Sequence, residues 1–213
     1  MARITVSAPV LAEVFAHCEG AYPEEACGVL TGPAGQALAD RFSACANIQN
    51  DLHREDPAAH RDARTAYRID PADLFRLTRE CRDAGREFKG IVHSHADVGA
   101  YFSDEDQRQA APSMTLSVPV FARGEGISEG RVAELVAAGR VTGAGEQVTA
   151  RIPTYPELVY LVVDVSGGRA LDFKGFVWDA EPRTYVETVV AVNPPSAGGV
   201  SRSVWCGFRP WRR

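Results

Sequence analysis

Phe88-Lys89-Gly90-Ile91-Val92-His93-Ser94-His95, followed after seven residues by Ser103-Asp104-Glu105-Asp106, is the stretch on which the reading of this chain turns. The run from Phe88 to Val92 reads as a strand entering a loop. On a strand, residues two apart point to the same side, with Cα atoms roughly 6.5–7 Å apart. Two imidazoles at that separation can converge on one metal ion, at Zn–N distances of about 2.0–2.1 Å. Asp106 would add a carboxylate oxygen. Three protein ligands and one open position form the pattern of a catalytic zinc site, not a structural one. Ser103-x-x-Asp106 is also a helix-cap signature. The two readings coexist, because a helix starting at Ser103 places Asp106 in its first turn, facing the histidines across the loop.

Upstream of this stretch, Asp70-Pro71 is a good helix start. Leu74, Leu77, Thr78 and Cys81 mark its buried face, and Gly85 closes it. Ala8–Glu19 reads as a helix with Val10, Leu11, Val14, Phe15 and Cys18 on one side, stopped by Gly20 and Pro23. Cys27–Leu30 reads as a short strand, 31–35 as a turn, and Leu38–Ala46 as the returning strand. Asn47–Arg64 is polar and reads as a solvated loop, with Tyr67–Ile69 a short strand after it. Met114–Phe121 is read as a strand and Ser128–Ala138 as a helix. Glu157–Val165 and Ala170–Trp178 form a hairpin about Ser166-Gly167-Gly168-Arg169, and Thr184–Val192 adds one more strand. Alternating helices and strands point to an α/β (α+β) fold with a mixed sheet.

The chain has 213 residues, enough for one well-buried domain with additions. We read 1–192 as a single domain interrupted by an insertion at about 111–153, and 193–213 as a flexible tail. The net charge of -5 without a dominant basic run argues against nucleic acid as partner. No signal pattern or membrane-length apolar run is present. The five cysteines are scattered, odd in number and without a C-x-x-C pair, which fits a reducing cytoplasm and small buried hydrophobes. His17, His53 and His60 stand alone and are not expected to be ligands.

A metal hydrolase also needs a carboxylate that takes a proton from water and hands it to the leaving amine. Asp97, Asp104 and Glu105 lie near the motif. Glu24 and Glu25 lie upstream, where a helix gives way to a strand, and residue chemistry alone does not separate them.

Glu25-x-Cys27-Gly28-Val29-Leu30-x-Gly32, with His93-Ser94-His95 and Ser103-x-x-Asp106, resembles the JAB/MPN family carrying the full JAMM metalloprotease motif. The resemblance runs from about residue 3 to 110 and from about 153 to 190. It implies a mixed, curved β-sheet flanked by helices, of cytidine-deaminase-like architecture. It implies Zn2+ held by His93, His95 and Asp106, with Glu25 rather than Glu24 as general acid/base and Ser103 stabilising the oxyanion. It further implies an isopeptidase or peptidase cutting after the C-terminal Gly-Gly of a ubiquitin-like or sulfur-carrier protein. Ala96 stands where many members have Pro, which alters loop rigidity and not ligation. The insertion is expected to help grip the substrate. The alternative is a non-catalytic MPN scaffold, but such proteins generally lack part of the metal set, and all five positions are filled here. A zinc deaminase is disfavoured, since its His-x-Glu and Pro-Cys-x-x-Cys are absent.

Overall fold

The computed structural model describes residues 3–117 and 147–194. In chain order the elements are β1 (Ile4–Ser7), α1 (Ala8–Ala21), β2 (Cys27–Pro33), β3 (Leu38–Ala39), β4 (Arg41–Cys45), α2 (Gln49–Glu55), α3 (Pro71–Asp83), β5 (Arg86–Ala96), α4 (Asp104–Ala110), β6 (Ser113–Ser117), β7 (Gln147–Arg151), β8 (Val159–Ser166), β9 (Arg169–Asp179), β10 (Thr184–Thr188) and β11 (Val190–Asn193). Six strands form one mixed sheet in the order β10-β9-β8-β5-β2-β4. At its centre β5 runs antiparallel to β2 and parallel to β8, so Cys27 and Val162 flank His93 on its two sides. The fold is the mixed α/β arrangement that the alternating elements predict.

Both faces of the sheet are covered, which is why β2 and β8 are buried almost continuously instead of in alternation. On one face α1 places Val10, Leu11, Val14 and Cys18 against Leu30, Val92, Leu161 and Val163. Burying each of the larger aliphatic side chains contributes about 1.5–3 kcal/mol. On the other face Cys27, Val29, Ile91, Tyr160 and Val162 pack with Leu77 of α3 and with Tyr67. Strand alternation therefore sends Val92 toward α1, and His93 and His95 toward the opposite layer. At Gly28 a Cβ would sit 2.4 Å from Phe42 Cε2 and 2.6 Å from the Ser43 carbonyl oxygen, so β4 approaches β2 this closely only because the residue is glycine.

The structure corrects several local expectations. Asn47–Arg64 is not simply a loop, for it contains α2. The sequence Gln49–Glu55 has a single aliphatic residue, Leu52, and so shows no helical periodicity. Its Gln49 is buried, with Nε2 donating to the Arg61 carbonyl. Strand β2 runs through the expected turn to Pro33, and Leu38–Ala46 is split at Asp40 into β3 and β4. Helix α1 passes Gly20. Tyr67–Ile69 is reduced to a bridge between Ile69 and Asn47. Thr184–Val192 divides between two sheets: β10 edges the large one, while β11 joins β1 and β3 in a three-stranded sheet. β1 went unanticipated because its four residues merge into the start of α1. β6 and β7 pair antiparallel at the two ends of the expected insertion. The expected helix Ser128–Ala138, the end of the expected strand Met114–Phe121 and almost all of the tail lie outside the described residues.

Candidate metal centre

The centre sits where β5 ends, α4 begins and the segment before β2 passes between them. β5 supplies His93 and His95 from neighbouring same-side positions. α4 supplies Asp106, and its first turn is locked by a reciprocal cap. The Ser103 hydroxyl oxygen accepts from the Asp106 backbone N–H at 3.1 Å. In return, Asp106 Oδ2 accepts from the Ser103 backbone N–H at 2.7 Å and from its hydroxyl at 2.6 Å. The cap and the metal-ligand arrangement thus occur together. Asp106 Oδ1 lies 3.2 Å from His93 Nε2, and Oδ2 lies 3.3 Å from His95 Nε2. One ligand atom from each residue falls within 4.8 Å of the others, and all three residues are buried. His93, His95 and Asp106 can therefore hold a metal ion.

The donor chemistry fits that reading. Neither ring nitrogen of His93 has a hydrogen-bond partner, although the residue is 0% exposed, and its approach to Asp106 lacks hydrogen-bond geometry. Buried polar atoms are rarely left unpaired. A cation at Nε2 would satisfy one of the two. His95 differs, since its Nδ1 bonds the Gly99 carbonyl at 3.1 Å. Asp106 is buried, which opposes ionisation, but the His93 and His95 imidazoles and the Ser103 hydroxyl outweigh this and hold its carboxyl well below the usual carboxylate range. Burial depresses the His93 imidazole, with Asp106 opposing. Burial also works against the charged form of His95, but there Asp106, Glu25 and the Gly99 carbonyl prevail and raise it.

Glu25 is the acid that the structure brings beside this group. Its N–H donates to the Ala63 carbonyl at 2.7 Å, and its carbonyl accepts from Asn47 Nδ2 at 2.8 Å. The side chain is buried, with Oε2 lacking a partner. Burial pushes its carboxyl up to about 8; the positive character of His95 opposes the rise and the negative charge of Asp106 adds to it. Glu24 instead points outward and accepts from Asn50 Nδ2 at 2.9 Å. Asp97 anchors the loop after His95, accepting from the Tyr22 hydroxyl and the Gly167 N–H, both at 2.8 Å. Glu105 pairs with Arg108 at 2.7 Å, and Asp104 is exposed at the helix start.

Elsewhere, His17 Nε2 contacts the Cys27 carbonyl, and His53 Nδ1 bonds the His60 carbonyl. Cys18, Cys27, Cys45 and Cys81 are buried free thiols, with Cys27 a wall residue whose Sγ points to the Cys45 carbonyl. Cys206 lies outside the described residues. Two supports of the site escaped the sequence reading. Ser94 Oγ accepts from the Ala26 N–H at 2.8 Å and fastens the Glu25 segment to β5. Asn47 holds the Glu25 carbonyl while its Oδ1 accepts from the backbone N–H groups of Gln49 and Arg68. The only signal for Asn47 was a cap-forming residue ahead of a polar run, which is common in loops.

Among the described residues no helix is long and apolar enough to cross a membrane. Among curated proteins, the chain is 29% identical over 107 residues to the CysO-cysteine peptidases of Mycobacterium tuberculosis and Mycobacterium bovis. That match takes in 50% of this chain and 65% of those proteins, just under two thirds of their length. Among solved structures, a protein from Desulfitobacterium hafniense aligns over 94% of this chain and 99% of its own at a TM-score of 0.54 and 17% identity, a likeness of fold alone. Residues 7–147 match the family model described as prokaryotic homologs of the JAB domain, and that span carries Glu25, both histidines, Ser103 and Asp106. On this match over more than half of its length, the chain belongs to the JAB/MPN family.

Proposed function

We propose that this chain is a zinc-dependent peptidase that hydrolyses the bond after the C-terminal Gly-Gly of a ubiquitin-like or sulfur-carrier protein. The observation that carries the reading is the buried convergence of His93, His95 and Asp106 with Glu25 alongside. Two imidazoles and one carboxylate are a ligand set that suits zinc and leaves an open position. When bound, the ion supplies Lewis acidity toward a water molecule and the scissile carbonyl.

The chain's own residues do the rest. With a cation beside it to favour the charged form, Glu25, as carboxylate, takes the proton of the attacking water at its unpartnered oxygen and returns it to the departing nitrogen. Ser103 spends its one hydroxyl proton on Asp106 Oδ2 in this structure. Its oxyanion role therefore requires the hydroxyl to turn toward the substrate carbonyl. Asp106 keeps its charge because its neighbours favour the ionised form, and so remains a ligand across the neutral range. Tyr101, edge-on to His95 and half-exposed, stands at the mouth of the site. A Gly-Gly tail has no side chains to clash there.

The name of the mycobacterial relatives supports a sulfur carrier as the substrate class. The protein is assigned to the cytoplasm on its cysteine usage. The test is mass spectrometry of ubiquitin-like and sulfur-carrier proteins extended beyond Gly-Gly, after incubation with zinc-loaded protein. We expect products ending at Gly-Gly, lost on chelation and regained on zinc addition. If every extended carrier stays intact beside a zinc-loaded, folded protein, the scaffold reading replaces this one.

A further inference from the structure

The two histidines are held differently, and the difference assigns a role to Tyr67. Metal-ligating imidazoles are ordinarily oriented by donating their other ring N–H to a carbonyl or carboxylate. His95 follows that rule through Gly99, but His93 Nδ1 has no partner. Apart from Asp106 Oδ1 at Nε2, the His93 ring has aromatic neighbours. Tyr67 lies parallel to it, with centroids 4.3 Å apart and planes inclined by 17°. Phe102 meets it tilted at 6.2 Å.

We infer that Tyr67 is the positioning residue for His93, fixing the imidazole plane by stacking where no hydrogen bond does so. This rests on the metal reading proposed above. Tyr67 is itself 3% exposed, and its segment is held in place by the Ile69–Asn47 bridge and by the Arg68 N–H bond to Asn47. Its hydroxyl makes no hydrogen bond among the described residues, so the ring and not the phenol does the positioning. Tyr67 also lines a cavity of about 150 Å³ together with Leu74, Tyr155 and Tyr160. A smaller side chain at position 67 would open His93 to that space and let the imidazole turn.

The test compares wild type with Tyr67→Phe and Tyr67→Leu by two readouts. The first is zinc affinity by competition with a chelating dye. The second is the orientation of the His93 ring in the metal-free protein, read from the NOEs of its ring protons to Phe102. Tyr67→Phe should match wild type in both. Tyr67→Leu should bind zinc about 10–100-fold more weakly, the range for losing an outer partner of a metal ligand, and should lose the single His93–Phe102 NOE pattern as the imidazole turns. If Tyr67→Leu does not fold, Tyr67→Met, unbranched and adaptable, takes its place with the same expectation. A merely structural tyrosine would lower the melting temperature and leave zinc affinity and the His93–Phe102 NOE pattern unchanged, which overturns the inference. It is equally overturned if Tyr67→Phe loses as much as Tyr67→Leu. If wild type takes up no zinc, the proposed function fails, and the His93–Phe102 NOE pattern alone then decides for or against Tyr67.

Discussion

Glu25→Gln should lower the rate of cleavage after Gly-Gly by about 10²–10⁴-fold, the usual worth of a positioned general acid/base, while leaving zinc content unchanged. The amide keeps the shape of the side chain but cannot take a proton from water. Glu25 touches neither histidine ligand through a hydrogen bond, and its backbone is held by Ala63 and Asn47 independently of its carboxyl. The fold should therefore survive, and in the metal-free protein its pH response has a definite sign. The folded carboxyl sits at about 8, above its ordinary value of 4.5, so the folded state holds the proton that the unfolded state has released. That stabilisation is fully present below the unfolded value and is lost as pH rises through the folded one. Glu25→Gln removes the titrating group, so the metal-free variant should lose less stability than wild type between acid pH and pH above about 8. Paired melting curves check this. A Glu25→Gln protein that cuts as fast as wild type would move the proton-transfer role elsewhere.

Asp106→Ala should be more damaging still, because one carboxylate serves three purposes. It is a proposed metal ligand, it closes the first turn of α4 through Ser103, and it faces both imidazoles. Losing half of a reciprocal cap costs about 0.5–2 kcal/mol. Losing a ligand should cost more zinc affinity than the 10–100-fold typical of an outer partner. Ligand linkage makes the second loss visible without any assay of activity. A metal at about 1,000 times its dissociation constant stabilises the folded state by about 4.1 kcal/mol. Wild type should thus gain markedly in melting temperature on zinc addition, and Asp106→Ala should gain little. Ser103→Ala separates the contributions, since it removes the cap and leaves the ligand. It should melt earlier than wild type yet still respond to zinc. An Asp106→Ala protein with the full zinc response would remove Asp106 from the ligand set.

How much of this was legible in the sequence depends on the distance over which each feature is encoded. His93 and His95 could be read because strand period and metal geometry coincide within three residues, and Ser103 and Asp106 because a helix start has its own local chemistry. Glu25 lies almost 70 residues away. Its approach requires the pairing of β2 with β5, the Ser94–Ala26 bond and the grip of Asn47, none of which leaves a local pattern. The choice between Glu24 and Glu25 therefore came from the resemblance, and the structure now displays their different surroundings. Tyr67 was legible only as the start of a short strand, and its stacking on His93 leaves no local signal. α2 was missed because its stability comes from contacts such as Gln49 to Arg61 and Asn50 to Ala63 instead of an apolar stripe. The division of the C-terminal strands followed from a tertiary choice, with β11 pairing with β1 from the other end of the chain.

The metal is the claim on which the remaining roles depend. Its most direct test is the zinc content of the protein purified at neutral pH without added chelator, read by native mass spectrometry with elemental analysis. One zinc ion per chain is expected in wild type and in Glu25→Gln. Wild-type protein that is folded and monodisperse yet carries no zinc, and takes up none when it is supplied, would contradict it.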